Sequence, residues 1–143
     1  MKKVVLDTNV LISALIQRSY PNLILYDFVI ERQVELCISD DLIEEYLDML
    51  NRPKFSKYPD FGIKAEFVLS QILEISKKFE PKEQIDIISD KDDNKILELA
   101  VESNADFIIT GNTNDFTMNC FRNTKIVSPK EFWEIFNNKE LIK

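Results

Sequence analysis

The feature of this sequence that most constrains its fold is an apolar run that ends on a carboxylate and resumes at once with helical spacing. Val4–Leu6 is short and β-branched, which is typical of a strand buried on both faces. The apolar residues beyond it recur at the spacing of one helix face: Val10, Leu11, Ala14 and Leu15. Asp7 is therefore predicted to end a parallel strand, at the edge where open α/β sheets bind ligands. An alternative of equal weight is that Asp7 only caps the helix.

The residue types that are missing or rare exclude several classes of active site. The sequence contains no histidine, which excludes imidazole bases, Ser-His-Asp and Cys-His sites, and imidazole metal ligands. Its two glycines are too few for a P-loop or a GxGxxG fingerprint. Cys37 and Cys120 do not form a CxxC pair, which argues against a zinc site or a disulfide framework. Carboxylate, hydroxyl, amide and amine groups remain for chemistry, and of these the carboxylates suit hard cations such as Mg²⁺ or Mn²⁺.

Length and charge narrow the class of protein. The 143 residues carry a net charge of −7, which argues against binding nucleic acid by counterion release alone. The net charge does not exclude a nucleic-acid enzyme in which bound metal makes the charge of an acidic pocket positive. No apolar run approaches the roughly 20 residues that span a bilayer, and an acid interrupts the first run, so we expect neither a membrane span nor a signal peptide. We expect one cytoplasmic domain over residues 1–143.

Predicted strands and helices alternate along the chain. After the first strand, two more buried strands are predicted over 35–39 and 107–110, and a last short strand over 125–127. Phe79 and Pro81 indicate a short edge strand between them. An amphipathic helix is predicted over 41–51 and another over 63–77. The second of these is predicted to turn four apolar side chains inward: Phe67, Ile72, Leu73 and Ile75. This alternation predicts a three-layer α/β/α fold around a mostly parallel sheet.

Acidic residues follow or open several of these elements. Glu44 and Glu45 flank the apolar stripe of the helix over 41–51, although solvated surface is the commoner position for either. In the cluster Asp90–Asp93, Asp93 lies on the apolar face of the next helix, and the alternative is that the cluster caps that helix and offsets its dipole. Asp115 and its neighbour Asn112 follow the strand over 107–110 as Asp7 follows the first, although their segment also has the composition of a turn.

These acids are predicted to meet at one edge of the sheet. Carboxylates gathered in a cleft repel one another, and each then favours its protonated form. A folded protein tolerates such a cluster when a divalent cation neutralises it. The expected convergence of the acids, rather than any single residue, therefore favours a metal site.

Five segments, in chain order, resemble the motifs of PIN-domain ribonucleases: Val5–Ala14, Leu42–Lys54, Asp90–Ala100, Phe107–Phe116 and Ser128–Phe132. The resemblance covers nearly the whole chain, and the closest type is the toxin component of a toxin–antitoxin pair, similar to VapC toxins. It implies a PIN-like fold and an endoribonuclease that depends on Mg²⁺ or Mn²⁺. It also implies three partners, namely an RNA substrate, an antitoxin that places a basic residue in the acidic cleft, and a second copy of the chain.

The resemblance also implies roles for particular residues. The acidic tetrad would be Asp7, Glu45, Asp93 and Asp115, with Asp7, Asp93 and Asp115 as the main metal ligands and Glu45 orienting water or holding a second ion. Polar residues beside the tetrad would support it or contact phosphate: Thr8, Asn9, Ser13, Thr110 and Asn112. Many relatives carry Asp where this chain has Asn112, so the site is less charged here. The choices between Glu44 and Glu45, and between Asp92 and Asp93, depend on helical register and stay open.

Two other classes of protein are alternatives. A non-catalytic PIN-like module that binds RNA or a protein partner would have the same fold. A Mg²⁺-dependent phosphatase or a phosphoacceptor receiver domain also places aspartates at strand ends. A receiver would require an acidic pair before its first helix, and the first strand here offers only Asp7.

Overall fold

The computed structural model describes residues 1–111, 116 and 118–142. Within these residues the strands are Lys3–Leu6 (β1), Glu35–Ile38 (β2), Lys77–Lys78 (β3), Phe107–Ile109 (β4), Cys120–Phe121 (β5) and Thr124–Val127 (β6). The α-helices are Thr8–Ile16 (α1), Tyr20–Leu23 (α2), Asp40–Leu50 (α3), Phe61–Ile75 (α4), Lys91–Ser103 (α5) and Pro129–Ile142 (α6). A π-helical stretch, Ile24–Ile30, continues α2, and a 3₁₀ turn, Pro53–Phe55, separates α3 from α4. None of the helices in the described part of the chain is long and apolar enough to cross a membrane.

The strands form one sheet in the order β3-β2-β1-β4-β6-β5. All neighbouring pairs are parallel except β5 with β6, which form a hairpin. Val4 of β1 pairs with Leu36 on one side and with Phe107 on the other. The chain adds β2 and β3 on one side of β1, and it adds β4 to β6 on the other. The strand order therefore reverses between β1 and β4, which is the topological switch point where α/β sheets bind ligands.

The side chains at the centre of the sheet are completely buried, as the predicted three-layer α/β/α architecture requires. Val4 and Val5 of β1 are completely buried, because helices cover both faces of a parallel sheet. Phe132 of α6 is also completely buried, and its ring centroid lies 5.5 Å from that of Phe107 on β4 and 5.7 Å from that of Phe28. This aromatic cluster fastens the last helix to the sheet.

The inward face of α4 differs in part from the prediction. The helix begins at Phe61, and its buried residues are spaced at four, three and four positions: Phe61, Ala65, Val68 and Ile72. Ile72 was placed correctly, but Phe67 is 53% exposed and Leu73 is 50% exposed, so the prediction was wrong for both. Apolar residues occur on more than one side of this helix, and periodicity alone does not identify the side that packs.

Candidate active site

Asp7 lies at the carboxyl end of β1 and bridges the switch point. Its side chain is buried, and its Oδ2 accepts a hydrogen bond of 2.6 Å from the hydroxyl of Thr110, which follows β4. The backbone N–H of Asp7 also donates to the carbonyl of Ile109 at 3.0 Å. Asp7 occupies the N-cap position of α1, but its side chain makes no capping hydrogen bond. Its carboxylate is held by the neighbouring strand end and is also influenced by the Thr8 and Asn9 amides at the start of α1, so its contacts go beyond those of a simple helix cap.

Glu45, and not Glu44, is directed to the same edge of the sheet. The Thr8 hydroxyl donates to Glu45 Oε2 at 2.7 Å, and Thr8 directly follows Asp7 in the chain. The Glu45 side chain is half-buried, whereas Glu44 is exposed. Which of Glu44 and Glu45 lies at this edge, a question the sequence left open, therefore depends on the side of α3 that faces α1.

Tyr46 holds α3 in this position. Its ring is completely buried, and its hydroxyl donates to the carbonyl of Leu6 at 2.6 Å, one residue before Asp7. The sequence placed Tyr46 in the apolar stripe of its helix but did not reveal this hydrogen bond. A tyrosine in an otherwise aliphatic stripe was the available signal, because a buried hydroxyl needs a partner.

The three aspartates at the start of α5 have different surroundings. Asp90 caps α5, since its Oδ1 accepts from the backbone N–H of Asp92 at 2.8 Å. Asp92 is exposed at the cleft, and it lines a small cavity together with Glu45. Asp93 is buried, with 6% of its surface exposed, in the first turn of a helix that packs against β1, β4 and α3. Burial therefore distinguishes Asp93 from Asp92, while the capping alternative holds for Asp90.

Asn94 organises the segment that leads into this cluster. Its Oδ1 accepts from the backbone N–H groups of Ile87 and Ile88 at 3.1 and 2.9 Å, and its Nδ2 donates to the Ile88 carbonyl at 2.6 Å. The side chain is buried, so these three bonds replace water that the loop would otherwise need. Sequence reasoning did not identify Asn94 as a residue that positions the neighbouring acids.

We expect Asn94→Ala to lower the free energy of unfolding by about 2–3 kcal/mol, because it leaves buried backbone groups of the loop without partners. Urea denaturation followed by circular dichroism measures this loss. The matched control is Asn51→Ala, which removes one exposed side-chain hydrogen bond to the Leu47 carbonyl and should cost less than about 1 kcal/mol. Equal losses in the two variants would contradict the role of Asn94.

The acids at this edge destabilise one another's charged forms. Burial raises the pKa of the Asp7 carboxyl, the Thr110 hydroxyl and nearby backbone amides lower it in part, and the charge of Asp90 raises it further. Burial likewise raises the pKa of Glu45, against the hydrogen bond from Thr8, and the charges of Asp92, Asp7 and Asp90 add to the rise. Both pKa values are raised, as expected of buried carboxylates with other carboxylates nearby.

The donor chemistry of these residues suits a divalent ion, but the described residues do not complete a site. Carboxylate oxygens are the ligands that Mg²⁺ and Mn²⁺ prefer. Within residues 1–111, 116 and 118–142, no three acidic or cysteine side chains form a group able to hold a metal ion. Asp115 and Asn112, which the sequence assigned to the same edge, lie outside the described residues. The described acids have suitable donor atoms for such an ion but do not by themselves make a site.

Comparisons with known proteins agree with this fold. A family model described as "PIN domain" matches residues 3–114. A curated relative, "Uncharacterized protein MJ1680" of Methanocaldococcus jannaschii, is 32% identical in a match that covers 94% of this chain and 91% of the relative. A solved structure described as VapBC2 from Rickettsia felis, bound to a DNA fragment from the promoter of its components, has a TM-score of 0.54 at 16% identity and covers 88% of this chain and 98% of the matched chain. At that identity, the solved structure establishes likeness of fold alone.

Proposed function

Because this chain belongs to the PIN domain family of nucleases, we propose that it is an endoribonuclease that uses Mg²⁺ or Mn²⁺ to hydrolyse RNA phosphodiester bonds. The observation that carries the proposal is the pair of linked carboxylates, Asp7 held by Thr110 and Glu45 held by Thr8. Both lie at the switch point of the sheet, and both have a raised pKa.

We assign the metal ligands to Asp7, Asp93 and Asp115. The assignment of Asp7 is supported by its burial at the end of β1. That of Asp93 is supported by its burial in the first turn of a helix packed against β1 and β4, and that of Asp115 rests on its motif. A divalent ion bound there would polarise the scissile phosphate and lower the pKa of an attacking water. The Thr110 hydroxyl restricts the Asp7 carboxylate to one orientation, so the carboxylate is organised before any ion binds.

Glu45 has a separate role in the proposal. Its Oε2 is engaged by Thr8, so Oε1 is the atom left to accept a hydrogen bond from the attacking water. Its raised pKa brings the group closer to the range in which a carboxylate exchanges protons near neutral pH. Thr8 and Tyr46 act on Glu45 and α3 as positioning residues, because neither is assigned a contact with the reacting phosphate.

Cleavage of single-stranded RNA tests the proposal. We expect cleavage with Mg²⁺ or Mn²⁺ and none in EDTA. Glu45→Gln should reduce the rate about 10²-fold, because it removes a proton acceptor and keeps the side-chain shape. The matched control is the neighbouring exposed Glu44→Gln, which should leave the rate unchanged.

Two results would contradict the proposal. Wild-type protein that binds RNA but does not cleave it with either ion would favour the non-catalytic module. Phosphotransfer from a small phosphodonor to an aspartate would favour the receiver domain. Equal effects of Glu44→Gln and Glu45→Gln would refute the role of Glu45 in particular.

We further propose that a protein antitoxin inhibits the enzyme. The mutual repulsion of Asp7, Glu45 and Asp92 favours a cationic side chain from a partner, which would neutralise the cleft without supplying a metal. A protein encoded beside this chain should then suppress both its toxicity and its RNA cleavage when the two are expressed together. Toxicity that no neighbouring gene product relieves would contradict this second proposal alone.

A further inference from the structure

Two basic residues share one groove at the far end of α1 from the acids. The groove has a volume of about 690 Å³, and Arg18 and Lys64 line it together with Tyr26. Both cationic side chains are exposed, and within the described part of the chain neither lies at ion-pair distance from a carboxylate. Two cations without ion pairs in one concave surface make it locally positive in a chain of net charge −7.

The two cations come from different elements. Residues 52–64, which end at Lys64, contain four cationic residues and a single acid, Asp60, although Arg52 pairs with Asp48. Arg18 lies just beyond the carbonyl end of α1, where a cation offsets the helix dipole. Lys64 comes from α4, so compensation of the α1 dipole does not account for both residues.

A second groove lies along the same helix, nearer to Asp7 in the chain. The second groove, of about 390 Å³, is lined by Asn9, Ser13 and Pro21 among others. The larger groove is lined by the next residues in each element, Ala14 of α1 and Asn22 of α2. The Asn22 side chain donates to the Ala14 carbonyl at 2.9 Å and so ties α2 to the end of α1, where the larger groove lies. Together they follow α1 from beside Asp7 to Arg18, a path of about 14 Å at 1.5 Å per helical residue.

We propose that these grooves hold the flanking strand of the RNA substrate, with Arg18 and Lys64 binding its phosphates and Tyr26 offering a ring to a base. This inference rests on the proposed ribonuclease function and adds the path of the strand. A polyanion needs cations at some distance from an acidic centre, because the acids repel every phosphate except the one that bound metal neutralises. The polar lining and paired cations favour nucleic acid over an apolar segment of a protein.

The test measures RNA affinity in protein that carries Asp7→Asn to prevent cleavage, in Mg²⁺, by fluorescence anisotropy across a series of salt concentrations. The double change Arg18→Gln with Lys64→Gln should weaken binding of a single-stranded oligoribonucleotide roughly 10-fold at moderate salt. It should also reduce the slope of log affinity against log salt by about 0.7 for each cation removed. Arg18→Lys with Lys64→Arg should restore most of the slope.

The matched control is the exposed pair Arg32→Gln with Lys130→Gln, which removes the same charge elsewhere on the surface and should leave the slope unchanged. If both double variants lose the same slope, only net charge matters and the groove is refuted. If the groove variant binds RNA like its parent, the groove is also refuted, and its cations would be open to a protein partner instead. A wild-type protein that neither binds nor cleaves RNA would refute the proposed function itself, which separates the two failures.

Discussion

Replacing Asp7 by asparagine is expected to lower the rate of RNA cleavage about 10²–10³-fold while leaving the protein folded. Asparagine keeps an oxygen that can accept the hydrogen bond from Thr110, so the connection between the ends of β1 and β4 survives. The substitution does remove the negative charge that attracts a divalent ion. Single-turnover cleavage of a fluorescent RNA at saturating Mn²⁺ measures this loss.

The same substitution should not destabilise the fold. Burial raises the pKa of Asp7, so its charged form opposes folding above that pKa, and this penalty disappears as the pH falls through it. Asp7→Asn removes the penalty at every pH. We therefore expect the thermal midpoint of the variant without metal to equal or exceed that of wild type at neutral pH. The variant should also gain less stability on mild acidification.

Two outcomes would contradict this expectation. Cleavage at the wild-type rate would remove Asp7 from the active site. A large loss of stability at neutral pH would mean that the Asp7 carboxylate is a structural group whose charge the fold requires. Asp106→Asn is a useful control, because Asp106 Oδ2 accepts from the backbone N–H of Lys3 at 2.9 Å at the start of β1, far from the proposed chemistry. It should leave cleavage unchanged.

Phe132→Ala is expected to cost about 3–5 kcal/mol in the free energy of unfolding. The ring is completely buried, and its centroid lies 4.5–5.7 Å from those of Phe136, Phe107 and Phe28. Truncation removes these contacts and leaves a cavity between α6 and the sheet. Such a loss is a large share of the total stability of a domain of this size.

Phe67→Ala is the matched control, since it makes the same chemical change on a side chain that is 53% exposed. It should cost less than about 1 kcal/mol, most of it from the apolar surface that remains in contact. Urea titrations of both variants measure the difference. Similar losses would contradict the orientation of α4 and support the inward Phe67 that periodicity predicted.

Much of the fold follows from local pattern in the sequence. β1, β2 and β4 are dense apolar runs, and a run buried on both faces is recognisable without its neighbours. The Lys77–Lys78 and Cys120–Phe121 strands are two residues long and carry little apolar signal, so only β3 was anticipated, as a short edge strand near Phe79, and β5 was missed. Exposed apolar residues on α4 misled the assignment of its inner face, because a helix with apolar residues on several sides has no unique amphipathic direction.

The candidate site, too, was predictable from the sequence only in part. Motif order and residue type selected Asp7, Glu45, Asp93 and Asp115 as candidates, and this selection remains a prediction for the catalytic roles. The preference for Glu45 over Glu44, and for Asp93 over Asp92, needed burial and hydrogen bonds that no local pattern contains. Asn94 and Tyr46 were not identified as positioning residues, because their partners are backbone groups, and backbone groups leave no mark in a sequence.

The sequence by itself determined the types of group available for chemistry: a chain without histidine, with two glycines and with acids after its apolar runs predicts carboxylate chemistry at a sheet edge. Only the tertiary structure decided which side chains form hydrogen bonds with one another. Asp7 and Thr110 are 103 positions apart, and they are in contact because β1 and β4 are neighbours in the sheet. The physical reason is that periodicity reports how one element buries its own surface. The meeting of distant side chains depends on how several elements pack together at once.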